Sequence, residues 1–206
     1  MSLKSKKLVI FDFDGVLVDT LFINHKIYEE VNENLSLDEF KTFYHGNKFN
    51  AKRLNGSEKC EHPDRCEKYD FHTRELKVPE IFKDIIKDIA NKYILTIVSS
   101  THTSSIEKII KRDGLDGYFL DILGMDFDKS KIKKIKILLK KYEINPSKAV
   151  YVTDTLGDIC EAGECSVFSI GVLWGYHDKE TLEKGNPAYI IDDPRDLENT
   201  LNNVLK

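Results

Sequence analysis

No apolar run in this chain approaches the length needed to cross a bilayer. Lys4, Lys6 and Lys7 lead into only four apolar residues, 8–11, before Asp12, far short of the core of a secretory leader, and the expected location is the cytoplasm. Long blocks of one charge sign are missing as well. The 31 basic and 35 acidic residues are interspersed and give a net charge of -4, so neither a nucleic-acid groove nor a polybasic membrane patch is expected. Cys60, Cys66, Cys160 and Cys165 form two close pairs, and neither has the two-residue spacing of a zinc ribbon. Free thiols are the expectation. The Cys60 to Cys66 loop has one nearby histidine, His62, and a metal or a disulfide is the alternative there. Cys160 and Cys165 read as small buried residues flanking a helix end.

The 206 residues are enough for one full domain plus a smaller insertion. Short apolar, β-branched runs at 8–11, 94–98, 120–123, 149–152 and 167–173 alternate with helical patterns, which predicts a parallel sheet covered by helices. Ser104 with Glu107 predicts a capping box, with Gly114 suited to the following C-cap. Ile132, Ile135, Leu139 and Tyr142 recur at helical spacing, and Asp193-Pro194 opens a last helix through Leu197, Leu201 and Val204. More than seventy residues separate the first two runs, where a crossover needs a dozen or so, so something is inserted there. Phe22, Ile23, Ile27 and Val31 form one helical stripe, and Ser36-Leu37-Asp38-Glu39 caps a second carrying Phe40, Phe43 and Tyr44. The expected fold is α/β: a three-layer, Rossmann-like, doubly wound parallel sheet. Its core comprises 1–17 and 79–206, and a small helical cap is inserted over 18–78.

Chemistry concentrates where these runs end. In Asp12-Phe13-Asp14-Gly15-Val16-Leu17-Val18-Asp19-Thr20, two carboxylates emerge together at the mouth of the first expected strand, where their repulsion calls for a divalent cation. Ser99 ends the second run and points into the crevice at the carboxyl ends of the strands, with Ser100 or Thr101 capping the loop. Lys129 precedes a helix that Ser130 caps, which places its ammonium beside anything bound at the sheet edge. Lys131, inside the first turn beside Ile132, is the alternative, and most of the neighbouring lysines, Lys133, Lys134 and Lys136, read as a solvated face. Asp154 and Asp158 repeat the opening design. Asp154 could complete a Mg²⁺ shell with Asp12 and the Asp14 carbonyl, while Asp158 binds metal-coordinated water or orients the lysine.

In order, Asp12 to Thr20, Ser99, Lys129 and Asp154 to Asp158 resemble the four motifs of the haloacid dehalogenase superfamily. The twenty-five-residue step from Lys129 to Asp154 resembles its usual spacing, and Gly171 to Tyr176 is similar to a segment of phosphoglycolate-phosphatase-like members. The resemblance implies Asp12 as nucleophile, Asp14 as general acid and base, Ser99 and Lys129 on the phosphate, and Mg²⁺ held by Asp12, Asp14, Asp154 and Asp158. It implies a small phosphorylated metabolite as substrate and no nucleic-acid or membrane partner. An acid two residues past the nucleophile sets the chain apart from dehalogenases and phosphonatases, so a phosphatase leads and a phosphoglucomutase-like transferase follows. Tyr44 to Arg53 resembles the cap loop that faces the crevice, which makes Gly15, Ser100, Gly46, Asn47, Lys48 and Arg53 the substrate-side candidates. A receiver-type domain and a catalytically silent binder are the readings from other classes; a receiver needs neither the second acid nor a lid.

Overall fold

The computed structural model describes residues 7–30, 35–48 and 65–206. Five β-branched or aliphatic runs form strands β1 (Lys7–Phe11), β2 (Tyr93–Val98), β3 (Phe119–Leu123), β4 (Ala149–Thr153) and β5 (Phe168–Val172). A sixth strand, β6 (Tyr189–Ile191), is only three residues long and too short to carry a periodic signal. All neighbours pair in parallel in the order β3-β2-β1-β4-β5-β6. The order reverses between β1 and β4, and in open α/β sheets that switch point is where ligands bind.

Alternation along the strands divides the core in two. Val9 and Phe11 of β1, Leu95 and Ile97 of β2 and Val150 and Val152 of β4 face α4 (Glu80–Ala90), α5 (Thr103–Arg112) and α9 (Leu197–Val204). Leu8, Ile10, Ile94 and Tyr151 face the opposite layer, where α6 (Lys131–Tyr142) and α7 (Leu156–Glu164) supply Ile135, Leu138, Leu139 and Ala162. Each fully buried Val, Leu, Ile or Phe side chain among them contributes about 1.5–3 kcal/mol. The core therefore fixes α6 and α7 firmly against the strand ends they serve. A short helix, α8 (Lys179–Glu183), follows β5.

Between β1 and α4 lie α1 (Leu21–Glu29), α2 (Leu37–Thr42) and α3 (Arg65–Thr73). Leu21, Tyr28, Leu35, Phe40 and Phe43 make a separate small apolar cluster, joined from the sheet domain by Tyr176. Ser36 caps α2 by accepting from the Glu39 amide at 3.2 Å. The α1 stripe differs from expectation: Leu21, Asn24, Ile27 and Tyr28 are buried, whereas Phe22 is 67% exposed and Val31 lies outside the described residues. The Ser104 capping box does not form either, because α5 begins two residues earlier than that cap implies, with His102 at its N-cap and no side-chain cap. Asp193 does cap the turn that precedes α9, accepting from the Arg195 amide at 2.8 Å. Cys165 is buried as expected and Cys160 is exposed; Cys60 and His62 lie outside the described residues. No described helix is long and apolar enough to cross a membrane.

Candidate active site

The carboxyl ends of β1 and β2 bring Asp12 and Ser99 to one cleft, and Asp154, just past the end of β4, is buried close to Asp12. The Asp12 amide donates to the Val152 carbonyl at 2.9 Å, which carries the β1–β4 pairing one residue past the strand. Asp12 Oδ1 accepts from the Phe13 amide at 2.7 Å, and Oδ2 accepts from Lys131 Nζ at 2.9 Å. The same ammonium donates to Asp158 Oδ2 at 2.6 Å. Asp158 Oδ2 also accepts from Thr153 Oγ1 at 2.8 Å and from the Tyr151 hydroxyl at 3.3 Å. Asp158 is thus paired with the lysine, the orienting one of its two expected roles.

Lys129 is a correction. It lies exposed, two residues before α6, with its carbonyl accepting from Asn47 Nδ2 at 3.3 Å, while Lys131 is 4% exposed and occupies the site. The reason is geometric: helical side chains tilt toward the N-terminus, so a first-turn lysine reaches back past the helix end to the strand mouths. The buried stripe of α6 is Lys131, Lys134, Ile135, Leu138 and Leu139, and the expected Ile132 and Tyr142 are half-buried against the same core. Lys134 is a second correction to the solvated-face reading. It is fully buried, donates to the Ser99 and Gly124 carbonyls at 2.6 and 3.2 Å, and is pushed down to about 8 by burial and then by Lys131.

The electrostatics follow from burial. Burial pushes the Asp12 carboxyl well above the ordinary carboxylate range, with Lys131 opposing and Asp158 and Asp154 reinforcing. Asp154 is raised to about 7, chiefly by burial, against the pull of the Tyr176 amide. For Asp158 burial also works upward, but Lys131 and its hydrogen bonds win and hold it low. Lys131 itself stays raised, because Asp12 and Asp158 outweigh its desolvation.

A divalent cation fits these residues. Asp154 Oδ2 accepts from the Tyr176 amide at 2.8 Å, but Oδ1 is buried without a hydrogen-bond partner among the described residues. The carboxylate abuts Gly15, which has φ +76°, and a Cβ there would collide with Asp154 Oδ2. Only glycine lets the first loop close on the fourth strand. Among the described residues no three His, Cys, Asp or Glu side chains converge as a metal cage. The Asp154 carboxylate lies close enough to Asp12 to raise its proton affinity, and Mg²⁺ is commonly held by one or two carboxylates plus waters and substrate phosphate.

Asp14 lines the same cleft but is held by hydroxyls and an amide instead of by the lysine. Its Oδ1 accepts from Thr20 Oγ1 at 2.7 Å, Tyr69 at 2.8 Å and Asn24 at 3.3 Å, and its Oδ2 accepts from Thr101 Oγ1 at 2.6 Å. Burial first, and then Asp14, keep the Tyr69 hydroxyl well above the ordinary phenol range, so it donates. Ser99 is fully buried, with Oγ accepting from the Thr101 amide at 3.0 Å, and it lines the cleft beside Ser100.

The loop after α2 covers the cleft. Tyr44, Gly46, Asn47 and Lys48 line it opposite Asp12, Asp14 and Lys131. The Tyr44 carbonyl accepts from the Gly157 amide at 2.8 Å, and a Cβ on Gly157 would strike the Gly46 carbonyl. Asn47 donates to Glu161 Oε1 at 3.1 Å, and Lys48 stands 5.5 Å from the Tyr44 ring centre. His177 accepts the Leu156 amide on Nδ1 at 3.0 Å and donates from Nε2 to the Lys41 carbonyl at 3.0 Å, a neutral tautomer consistent with burial lowering its affinity for a proton. Arg53 lies outside the described residues.

A family model described as haloacid dehalogenase-like hydrolase matches residues 9–172. The chain belongs to the haloacid dehalogenase-like hydrolase family. This haloacid dehalogenase-like chain is 26% identical over 114 residues to the phosphoglycolate phosphatase of Vibrio vulnificus strain CMCP6. That match takes in 53% of the chain and 50% of the relative, so the chain spans about half the length of this curated relative. The pyrophosphatase PpaX of Oceanobacillus iheyensis is 26% identical over 211 residues, covering 94% of the chain and 95% of that protein. In fold, the chain resembles a haloacid dehalogenase-like family hydrolase from Streptococcus pneumoniae, with a TM-score of 0.75, 20% identity and coverage of 96% and 99%. A hydrolase from Pseudomonas syringae superposes with a TM-score of 0.77 at 19% identity, again covering 96% and 99%.

Sequence reasoning ranked Lys131 behind Lys129, and it missed Tyr69, the hydrogen bond from Thr101 to Asp14 and the Asn47 partner Glu161. Lys131 was legible in the i, i+4, i+7 spacing to Ile135 and Leu138; no local signal marks Tyr69, which reaches Asp14 across 55 residues of chain.

Proposed function

We propose that this family member is a Mg²⁺-dependent phosphomonoester hydrolase acting on small phosphorylated metabolites through an aspartyl-phosphate on Asp12. The observation that carries the reading is Lys131 seated between Asp12 and Asp158 at 2.9 and 2.6 Å, at the edge of a cleft that also holds Asp14 and Ser99. A lysine so placed orients the nucleophile and meets a phosphate oxygen. Asp12 attacks phosphorus in line, Asp14 protonates the leaving oxygen, and Asp14 then takes a proton from the water that attacks the aspartyl-phosphate. Ser99 and Lys131 hold the transferring group. Mg²⁺, held by Asp12, Asp154 and the Asp14 carbonyl, would supply charge neutralisation at the phosphoryl oxygens. The helices from α1 to α3, within 18–78, act as the cap, and the Tyr44 to Lys48 loop shapes the leaving-group side.

Purified protein is expected to hydrolyse p-nitrophenyl phosphate with Mg²⁺ and to lose essentially all turnover with excess EDTA, activity returning when Mg²⁺ is restored. A panel of metabolite monophosphates run the same way identifies the preferred ester. Hydrolysis that is indifferent to EDTA would contradict the metal assignment, stable phosphorylation without turnover would indicate a receiver, and absence of both a silent binder.

A further inference from the structure

Asp14 is gripped asymmetrically. Three donors converge on Oδ1, from Thr20, Asn24 and Tyr69, whereas Oδ2 has the Thr101 hydroxyl at 2.6 Å. An oxygen already accepting three hydrogen bonds is a poor place for a proton. On Oδ2 just the Thr101 hydroxyl would have to turn from donating to accepting, whereas on Oδ1 three donors would have to give way. Protonation is therefore directed to Oδ2, and the carboxyl is kept from rotating. Of these four partners, Thr20 and Asn24 lie at the start of the inserted segment, close in sequence to Asp14, and Thr101 follows β2. Tyr69 comes from α3, 55 residues away along the chain.

Its neighbour shows how α3 is held. Asp70 Oδ1 accepts from Ser105 Oγ on α5 at 2.5 Å, and Asp70 Oδ2 pairs with Lys108. Tyr69 is 5% exposed, so its hydroxyl is withdrawn from water when α3 is docked. Consecutive residues of one helix thus grip the sheet domain and the acid of the site together.

Resting on the phosphohydrolase reading above, we propose that Tyr69 is a positioning residue for Asp14, which makes proton delivery to the leaving group depend on docking of α3. In the step concerned, the bond from an Asp12 oxygen to phosphorus forms as the bond from phosphorus to the leaving oxygen breaks. The proton on Asp14 Oδ2 passes to that oxygen, releasing an alcohol and leaving Asp14 as the carboxylate. Tyr69 keeps its own proton throughout.

The test is leaving-group dependence. An alkoxide needs its proton far more than p-nitrophenolate does, and kcat/KM reports events through departure of the leaving group. Tyr69→Phe is measured with Mg²⁺ on p-nitrophenyl phosphate and on the best alkyl ester from the metabolite panel. We expect kcat/KM to fall about 10-fold or more on the alkyl ester and less than about 3-fold on the aryl ester, within the range of general acid catalysis. Inhibition by inorganic phosphate should be unchanged. Asp70→Asn, which loosens α3 without touching Asp14, should give a smaller loss of the same selectivity, and it serves if Tyr69→Phe does not fold. Equal losses on both esters, a loss confined to the aryl ester, or no loss in either variant would overturn the assignment. Failure of the unmodified protein to hydrolyse either ester would instead overturn the phosphohydrolase reading on which it rests.

Discussion

Replacing Asp12 by Asn is expected to lower kcat by at least about 10³-fold on every phosphate ester, because an amide cannot serve as the attacking oxyanion. The substitution should leave the fold intact. Asn keeps the shape and can still accept from the Phe13 amide, now 2.7 Å from Asp12 Oδ1, and Lys131 keeps its 2.6 Å partner Asp158. Unfolding in urea should therefore show a midpoint near or above that of the unmodified protein, since one of the two buried acids on Lys131 loses its charge while the lysine stays paired with the other. Circular dichroism and the urea midpoint separate this outcome from simple misfolding. Activity within about tenfold of the parent would remove Asp12 from the role of nucleophile.

The second large effect distinguishes two lysines two residues apart. Lys131→Met should remove turnover by about 10³-fold, whereas Lys129→Met should leave kcat/KM within about threefold, because Lys129 is exposed and Lys131 bridges the two buried acids. Removing Lys131 also strands Asp12 and Asp158 without their cation, a change that costs about 3–5 kcal/mol in buried pairs. A loss of activity alone would thus be ambiguous. Adding Asp158→Asn to Lys131→Met takes away one of the stranded charges and should recover much of the lost stability, measured by urea unfolding, with turnover still absent. The reverse ranking of the single variants, with Lys129 essential and Lys131 dispensable, would restore the lysine first expected from the sequence.

That misplacement shows where sequence reasoning reaches its limit. The five longer strands were legible because β-branched runs bounded by turn residues are a local signal, and so were the Ser36 and Asp193 caps, each made within three residues of chain. Asp12, Asp14, Ser99 and Asp154 could be assigned to strand ends for the same reason. What failed depended on which way a long side chain turns. Lys129 and Lys131 have the same chemistry, and only the tilt of α6 with its stripe through Ile135 and Leu138 decides between them. Phe22 misled in a similar way. Its hydrophobicity predicted burial, yet Asn24 takes the inward position, its amide donating to the Tyr176 hydroxyl at 2.7 Å and to Asp14 at 3.3 Å. Tyr69 was invisible for another reason: its partner is far away in sequence, and an isolated tyrosine on a polar helix has no periodic mark.

Rapid acid quench of the protein turning over a labelled phosphate ester with Mg²⁺, followed by peptide mapping, tests the central claim most directly. A single hydroxylamine-sensitive phosphoryl group on Asp12, formed and lost at rates compatible with kcat and absent from the Asp12→Asn variant, is the predicted result. Phosphoryl label on any other residue, or steady hydrolysis with none on Asp12 at any quench time, would contradict it.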